Sequence, residues 1–479
     1  MSTGLTPSLP ALFLKRMAKY LSEEYPAFAA ELEKPPVNGL RVNPLKCSPE
    51  EIQAISPGAL ENKVPWCPSA YNLPISEFSF GRHPYHLAGL YYLQDPSAMA
   101  PAELLAPRPG ERILDLAASP GGKTTHLAAL MHGSGLLVAN EIKDKRLGHL
   151  AFNVERWGVG NVVVTNETPE RLADRFGAFF DRVLVDAPCS GEGMFRKEMS
   201  ARLDWSLDMV AGCAVRQQNI LKVAAKLVRP GGYLLYSTCT FAPEEDEGVI
   251  DALINSHPGY QVVPLPQFPG FMPGRPDWLD SGRTAKGLEG AVRLFPHRLK
   301  GEGHFACLLQ RVGAADTESA RRKLKGDRTP ARLVSLSASQ ESLWKEFSGE
   351  GLDLDLPAER LWLRGERLYL LPEVFPEFGN LRVVHPGVWL GTFKKQRFEP
   401  AHPLALFLRR GQAKNVLDLS STDTSGASAI QRYLRGETIP CAGPAGWTLV
   451  TVDGWPLGWG KRVQGVVKNH YPHGWQMAA

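Results

Sequence analysis

The 479-residue chain predicts an α/β protein built on a doubly wound parallel sheet, with a small α+β unit before it and a mainly β region after it. Three observations carry this. Between Arg112 and Leu235, short β-branched or leucine-rich runs alternate with segments of helical period, the signature of parallel strands joined by crossover helices. Two of those runs end in reactive residues instead of ordinary turns, one at Asp186 to Cys189 and one at Ser237 to Cys239. Beyond about residue 333 the apolar runs are short and spaced by Gly and Pro, which suits small β units.

Residues 1–95 open on a helix with Leu12, Phe13, Met17 and Leu21 at helical spacing, Ser8 as its cap and Pro10 in its first turn. Arg41-Val-Asn-Pro-Leu-Lys46 reads as a strand and turn, and a Pro- and aromatic-rich stretch through Trp66, Tyr71 and Tyr85 completes an N-terminal α+β subdomain. Asp95 is placed to cap the next helix, with Pro96 in its first turn. In the core, residues 96–310, strand-like runs at 113–116, 136–139, 162–164 and 182–185 alternate with helix-like segments. Among these, 123–132 stops at Gly133, Leu147, Leu150 and Val154 mark a helix ended by Gly158, and a short helix ends at Phe176. Ile220, Leu221, Ala224 and Leu227 mark a further helix before Pro230-Gly-Gly232, and the strand-like Leu234-Leu-Tyr-Ser-Thr-Cys239 follows.

Residues 257–290 show no period and are expected to form a long loop, whereas 294–309 should add an antiparallel edge hairpin. The polar stretch 311–332, with Arg321, Lys325, Arg328 and Arg332, reads as a basic linker. A small α+β or β domain over 333–400 and a last unit over 401–479 complete the division. In the last unit a helix is expected at 428–434 and a strand at 457–464.

Composition narrows the function classes. A hydrophobic fraction of 43% with 22% charged residues describes a soluble globular protein, and a net charge of +4 permits a polyanionic partner without requiring one. Seven cysteines without close pairing argue for a reducing compartment and against a disulfide framework. No run reaches membrane-spanning length and no basic-then-apolar leader opens the sequence, so a cytoplasmic protein with no membrane partner is expected.

Asp115-Leu-Ala-Ala-Ser-Pro-Gly-Gly-Lys-Thr124 joins a strand to a helix through small residues, so backbone can approach a ligand near a helix N-terminus. It is not a phosphate-binding P-loop, because the first glycine that loop needs falls on Ala117. Glu141 ends the next strand, where a carboxylate accepts hydrogen bonds from ribose hydroxyls. Together they point to an adenosine cofactor without a phosphate chain, which S-adenosylmethionine fits. Val183-Leu-Val-Asp-Ala-Pro-Cys-Ser-Gly-Glu-Gly193 leaves the sheet at Asp186, since Pro188 cannot donate to a ladder and Gly191 and Gly193 permit positive φ. Cys189 and Cys239 therefore lie at strand ends where open α/β sheets bind ligands. Cys47, Cys67, Cys213, Cys307 and Cys441 are read as core fillers. Neither C-x-x-C nor an adjacent His accompanies the strand-end thiols, so no metal is expected there.

Asp115 to Thr124, Asp186-Ala-Pro-Cys-Ser-Gly-Glu-Gly193 and Ser237-Thr-Cys-Thr240 resemble the signature motifs of the Nop/Sun family of RNA 5-cytosine methyltransferases, and Arg41 to Lys46 resembles its leading motif. The resemblance covers roughly residues 35–310. Leu294-Phe-Pro-His297, Gly301-Glu-Gly-His-Phe305 and the added C-terminal region make the chain most similar to the bacterial RsmF type, which modifies small-subunit ribosomal RNA. The resemblance implies a Rossmann-like core that binds S-adenosylmethionine, and a PUA-like RNA-binding domain near the C-terminus. It implies cofactor contacts at Ala117, Ala118, Ser119, Pro120, Gly121, Gly122, Lys123, Glu141, Thr168 and Asp186. Ser119 stands where the family usually has Ala, and Thr168 where many members have an acid near the adenine.

Carbon 5 of cytosine is a poor nucleophile, and thiolate addition at carbon 6 converts the ring to an enamine that can attack a methyl group. Spacing alone does not choose between the two thiols. The resemblance assigns the addition to Cys239 and assigns to Cys189 assistance in losing the carbon 5 proton and releasing product. Asp186 would bind the Watson–Crick edge of the base, with Lys123 helping to position it. The implied partner is ribosomal RNA on the small ribosomal subunit, with no obligate protein partner. Candidate RNA-contacting surfaces are Arg41 and Lys46, Lys143 to Arg146, Arg196-Lys197, the linker, Lys394-Lys395-Arg397, and Lys461-Arg462 with Lys468. Trp459, Tyr471 and Trp475 are candidates for base stacking or for a domain core. Three other readings compete: a catalytically silent RNA-binding or ribosome-assembly protein, the same chemistry on tRNA, and a P-loop ATPase, which Ala117 disfavours.

Overall fold

The computed structural model describes residues 8–74, 79–280, 284–313 and 336–476. Most of the expected basic linker lies outside the described residues. The first helix, Ala11–Leu21, starts later than Ser8 would have it: Pro10 occupies the cap with no side-chain cap, and its carbonyl accepts from the Leu14 N–H at 3.1 Å. With the helix Tyr25–Leu32 it sends Phe13, Met17 and Phe28 into a cluster with Phe195, Trp205, Phe241 and Phe295, so the N-terminus packs beneath the loops that follow the core strands. Strands β1 (Asn38–Val42), β2 (Lys63–Val64), β3 (Cys67–Leu73) and β4 (Tyr91–Gln94) form an antiparallel sheet in the order β2-β3-β1-β4. The Asp95 carboxylate then caps the helix Pro96–Leu105 by accepting from the Ser97 N–H.

The core is a Rossmann-like mixed sheet. Strands β5 (Arg112–Asp115), β6 (Leu136–Asn140), β7 (Val162–Thr165), β8 (Phe180–Asp186) and β9 (Val228–Thr238) are parallel and lie in the order β9-β8-β5-β6-β7. After β7 the chain crosses back past β5 to lay down β8, which makes the β5/β8 gap the switch point where such sheets bind ligands. Apolar residues on both faces, such as Leu114 and Val183 on one and Ile113 and Leu184 on the other, bury the sheet between helical layers.

Residues 257–290, expected as a loop, supply β10 (Tyr260–Val263) and β11 (Phe271–Pro273), which pair with β13 (His304–Arg311) and β12 (Val292–Leu294). Runs this short show no alternation to read, yet their pairing lets Tyr260, Phe271 and Met272 be buried. Strand β13 runs antiparallel along β9 from Phe305 opposite Thr238 to Gln310 opposite Tyr233, as the expected edge hairpin requires.

After the core, β14 (Leu361–Arg364), β15 (Arg367–Leu370), β17 (Val388–Lys394) and β18 (Arg397–Pro400) make a small sheet, while β16 (Val383–His385) extends the core sheet beside β7. Arg382 reinforces that junction, its backbone N–H donating to Glu167 and its guanidinium pairing with Asp144. A five-stranded sheet follows from β19 (Val416–Leu419), β20 (Ile439–Pro440), β21 (Gly446–Val452), β22 (Trp455–Val463) and β23 (Val466–Asn469). Its helix, Thr424–Leu434, begins before the expected 428 because Asp423 accepts from the Ser425 and Gly426 N–H groups. This last unit shares a core with the N-terminal sheet, where Leu40, Tyr71 and Tyr91 meet Tyr433, Leu457 and Tyr471. Tyr471 is thus buried, while Trp459 is buried in the core of the preceding small sheet with Phe347 and Phe398 and donates to the Ala401 carbonyl.

Four expected RNA-facing cations are instead structural, among them Arg462, which is buried and donates to the Pro444 carbonyl. Lys46 donates to the Ala88 and Arg156 carbonyls, and Arg196 is buried against Glu302 at 2.6 Å. Arg41 is fully buried, donates to the Gly122 carbonyl and the Thr125 hydroxyl, and lies over the Trp157 ring. It ties β1 to the first turn of the helix Gly122–Leu130. Arg41→Ala is therefore expected to destabilise the fold by about 2–4 kcal/mol, the loss of two charge-assisted hydrogen bonds and a filled volume, read as a lower urea midpoint.

Candidate active site

Strands β8 and β9 are in parallel register with Asp186 beside Ser237. Each chain leaves the sheet just beyond that pair, and each carries its cysteine within the next few residues. The two departing loops are stitched together: the Ser190 and Thr240 hydroxyls lie 2.8 Å apart, the Gly193 N–H donates to the Cys239 carbonyl at 2.9 Å, and the Phe241 N–H donates to Glu192 at 2.9 Å. A Cβ at Gly193 would come within 2.9 Å of the Gly303 carbonyl, so the close approach requires glycine. As a result Cys189 Sγ and Cys239 Sγ are 3.3 Å apart, both half-buried. A separation this small leaves no slot between the sulfurs for a pyrimidine. The two thiols can instead address neighbouring atoms from one side, and carbons 5 and 6 of a cytosine are one bond apart.

Asp186 lies beside them. Its Oδ2 is 2.8 Å from Lys123 Nζ and its Oδ1 accepts from the Ser237 hydroxyl at 2.8 Å. Burial alone would raise this carboxyl, but the Lys123 ammonium, helped by His304 and Ser237, holds it below its ordinary value. Lys123 is raised in turn: burial opposes its charge, and the Asp186 carboxylate outweighs burial, with Cys239 also within its electrostatic reach. The hydrogen bond to Cys239, with burial and the charge near Glu245, pushes the Cys189 thiol well above its ordinary range. His304, whose Nδ1 lies 3.2 Å from the Ser97 hydroxyl, is lowered to about 4 by burial and by Lys123, and is neutral.

The cofactor side is built from β5, β6 and the turn between β5 and its helix. Ala118 N–H donates to the Asn140 carbonyl, Ser119 Oγ donates to the Arg146 carbonyl, and the Pro120 carbonyl accepts from Asn153, so the turn is pinned to the next helix, Asp144–Trp157. Gly121 has φ of 109°, and a Cβ there would meet Asn153 at 3.2 Å. Gly121 and Gly122 thus serve close packing as well as the turn, because a Cβ on Gly122 would press on Gln94 and Tyr92. Thr168 uses its hydroxyl to cap the helix Pro169–Phe176.

One acceptor remains open. Asp115 Oδ1 is buried with no hydrogen-bond partner, whereas Glu141 Oε2, also buried, is ion-paired with Arg146 Nη1 at 3.3 Å, and Ile142, beside Glu141, is 55% exposed. Burial, with the charge of Asp186, pushes Asp115 up to about 7 against the Thr124 hydrogen bond, so an added cation would stabilise its ionised form. An unpaired carboxylate oxygen at the end of β5, a second carboxylate just past β6 whose Arg146 partner is itself half-exposed, a free apolar surface and a helix N-terminus fit a ligand carrying an ammonium, a ribose diol, a flat base and a carboxylate. S-adenosylmethionine has all four.

Five residues of this neighbourhood escaped the sequence reading: Asp115 as an open acceptor, Ser237 and His304 as partners of Asp186, and Gln217 and Glu245 behind Cys189. Ser237 and His304 lie within stretches already singled out. Cys67, Glu103 and His126 also come together, with ligand atoms within 4.8 Å of one another. His126 and Glu103 are hydrogen-bonded there at 2.9 Å, and burial, with the Arg41 cation, lowers His126 to about 4.

A doubly wound sheet with a small-residue turn after its first strand and an acid ending its second defines the class: an S-adenosylmethionine-dependent methyltransferase. Four family models then tile the chain. The 16S rRNA methyltransferase RsmB/F model matches residues 102–310, the N-terminal domain of 16S rRNA methyltransferase RsmF residues 9–96, the RsmF first C-terminal domain residues 346–408 and the RsmF PUA domain residues 420–477. Ribosomal RNA small subunit methyltransferase F of Vibrio vulnificus is 31% identical over 474 residues, 97% of each chain, and that of Shewanella oneidensis is 30% identical over 94% of each. The chain belongs to this ribosomal RNA small subunit methyltransferase F family. Among solved structures, a methyltransferase homologue from Pyrococcus horikoshii aligns with a TM-score of 0.56 at 30% identity, covering 63% of this chain and 95% of its own. NSun6 from the same organism, solved with SFG, shares the fold with a TM-score of 0.54 at 22% identity, covering 64% of this chain and 98% of its own.

Proposed function

We propose that this enzyme methylates carbon 5 of a cytosine in small-subunit ribosomal RNA, in the cytoplasm, through a covalent bond between Cys239 and carbon 6. The observation that carries the proposal is the 3.3 Å contact of two thiols beside the Lys123–Asp186 pair. Cys239 adds to carbon 6 as a thiolate. Asp186, kept ionised by Lys123, accepts hydrogen bonds from the Watson–Crick edge and stabilises positive charge on the ring as the bond forms. S-adenosylmethionine supplies the electrophilic methyl group that carbon 5 attacks. Cys189, as a thiolate, then takes the carbon 5 proton, which restores the double bond and expels the Cys239 thiolate. The target must be unpaired or extruded to reach these groups, and the PUA match supports an RNA grip at the C-terminus.

Glu141 would hold the ribose and Asp115 the ammonium of the cofactor. Glu141→Ala is expected to cost about 1.5–3 kcal/mol, roughly 10- to 150-fold in Kd, the range for hydrogen bonds to a charged group. Titration calorimetry with S-adenosylmethionine measures it, and an unchanged Kd would remove Glu141 from the site.

The function is tested by offering labelled S-adenosylmethionine with free 16S ribosomal RNA, assembled small subunits and tRNA, then locating the label by bisulfite sequencing. Label at a cytosine of the small-subunit RNA is expected. Label confined to tRNA would move the substrate, and no transfer to any RNA would favour the silent RNA-binding reading, against which Cys189, Cys239, Asp186 and Lys123 all stand together in one site.

A further inference from the structure

We infer that Glu245, acting with Gln217, is a positioning residue that holds the Cys189 loop against Cys239 for product release, an inference that rests on the roles proposed above. Glu245 is fully buried just past the Cys239 strand end. Its Oε2 accepts from the Ser190 N–H at 2.9 Å and from Gln217 Nε2 at 2.8 Å, and the same Gln217 nitrogen donates to the Pro188 carbonyl at 3.1 Å. The carboxylate and the amide thus grip the residues on both sides of Cys189 and leave its sulfur free. Gln217 belongs to the long helix Leu207–Leu227, and Glu245 is anchored by its carbonyl, which accepts from the buried Tyr236 hydroxyl at 2.6 Å. One clamp therefore references the Cys189 turn both to a helix and to the strand that delivers Cys239.

A hydrogen bond from the Ser190 N–H could have gone to a neutral acceptor. A buried carboxylate is a costly choice, and its other oxygen, Oε1, has no partner. Burial pushes Glu245 up to about 7, and its charge is among the causes that keep Cys189 protonated. The clamp therefore acts on Cys189 in position and in charge, while Asp186 and Lys123 act on the base and Cys239. In the release step Cys189, no longer opposed by a Cys239 charge once that sulfur is bonded to carbon 6, acts as a thiolate and takes the carbon 5 proton; the carbon 5–hydrogen electron pair forms the carbon 5–carbon 6 double bond, and the carbon 6–sulfur bond breaks to return Cys239 as a thiolate. Cys189 must be within reach of that proton, and near-attack geometry of this kind is lost with small displacements.

The test compares Gln217→Ala and Glu245→Ala with the wild-type enzyme and with Cys189→Ala, using labelled RNA and S-adenosylmethionine. Both variants are expected to keep the first-turnover burst of methyl transfer, to slow multiple turnover about 10- to 100-fold, and to accumulate an adduct that survives denaturing gels. Glu245→Gln, which keeps an acceptor for Ser190, is expected to recover part of the rate. Adding Cys189→Ala to either variant should slow release no further than Cys189→Ala alone, a non-additivity that general loosening of the fold would not give. Wild-type turnover in both variants, loss of the burst instead of release, or additive effects would overturn the inference. If Cys189→Ala traps no adduct at all, the reading of the site fails and this inference with it. If Cys189→Ala traps adduct while the clamp variants release normally, only the clamp is wrong.

Discussion

Cys239→Ala is expected to abolish methyl transfer and to form no covalent complex with RNA, while Cys189→Ala forms one and fails to release it. Removing the nucleophile removes the only route by which carbon 5 becomes electron-rich, so the loss should be on the order of 10⁴-fold or more in turnover. Cys189→Ala leaves Cys239, Asp186 and Lys123 in place, so addition and methyl transfer proceed once and the enzyme stalls on its product. The 3.3 Å contact of the two sulfurs brings both to one base, and the proposed roles give the addition to Cys239 and removal of the carbon 5 proton to Cys189. Denaturing electrophoresis of each variant with labelled RNA separates the cases: an adduct with Cys239→Ala and none with Cys189→Ala would exchange the two roles.

The parts of the fold that announced themselves were those whose signal is local. Strand ends at Asp186 and Ser237, the cap at Asp95 and the turn from Asp115 to Thr124 are each decided by a few adjacent residues. What escaped depends on partners far along the chain. Strand β16 pairs with β7 across more than two hundred residues, and nothing in Val383–His385 marks it as an edge of the core sheet. Arg41, Lys46 and Arg196 read as exposed charge until Gly122, Ala88 and Glu302 are seen to receive their donors. Glu245 escaped for the same reason, since its value lies in Ser190 and Gln217. A facing pair of sulfurs could be anticipated from two strand ends, but their direct contact comes from the stitching of the loops, which no spacing encodes.

Asp186→Asn tests the other half of the site, and it should separate stability from chemistry. The substitution leaves the Lys123 ammonium, 13% exposed, without its counter-charge. Breaking a fully buried pair costs about 3–5 kcal/mol, and because Asp186 keeps 30% exposure the expected loss is nearer 2–3 kcal/mol. The pH dependence has a definite sign. The carboxyl is held below its ordinary 3.8, so its contribution is present above that value and is lost as pH falls through the depressed folded-state value. The stability gap between wild type and Asp186→Asn should therefore be constant at neutral pH and close only in strong acid. Methyl transfer should fall by roughly 10²–10³-fold, because the neutral amide cannot balance charge developing on the ring. Adding Lys123→Met removes the orphaned cation and should restore most of the stability while restoring none of the activity. Recovery of activity in that double variant would mean that Asp186 serves only to neutralise Lys123, and that the base is bound by other groups.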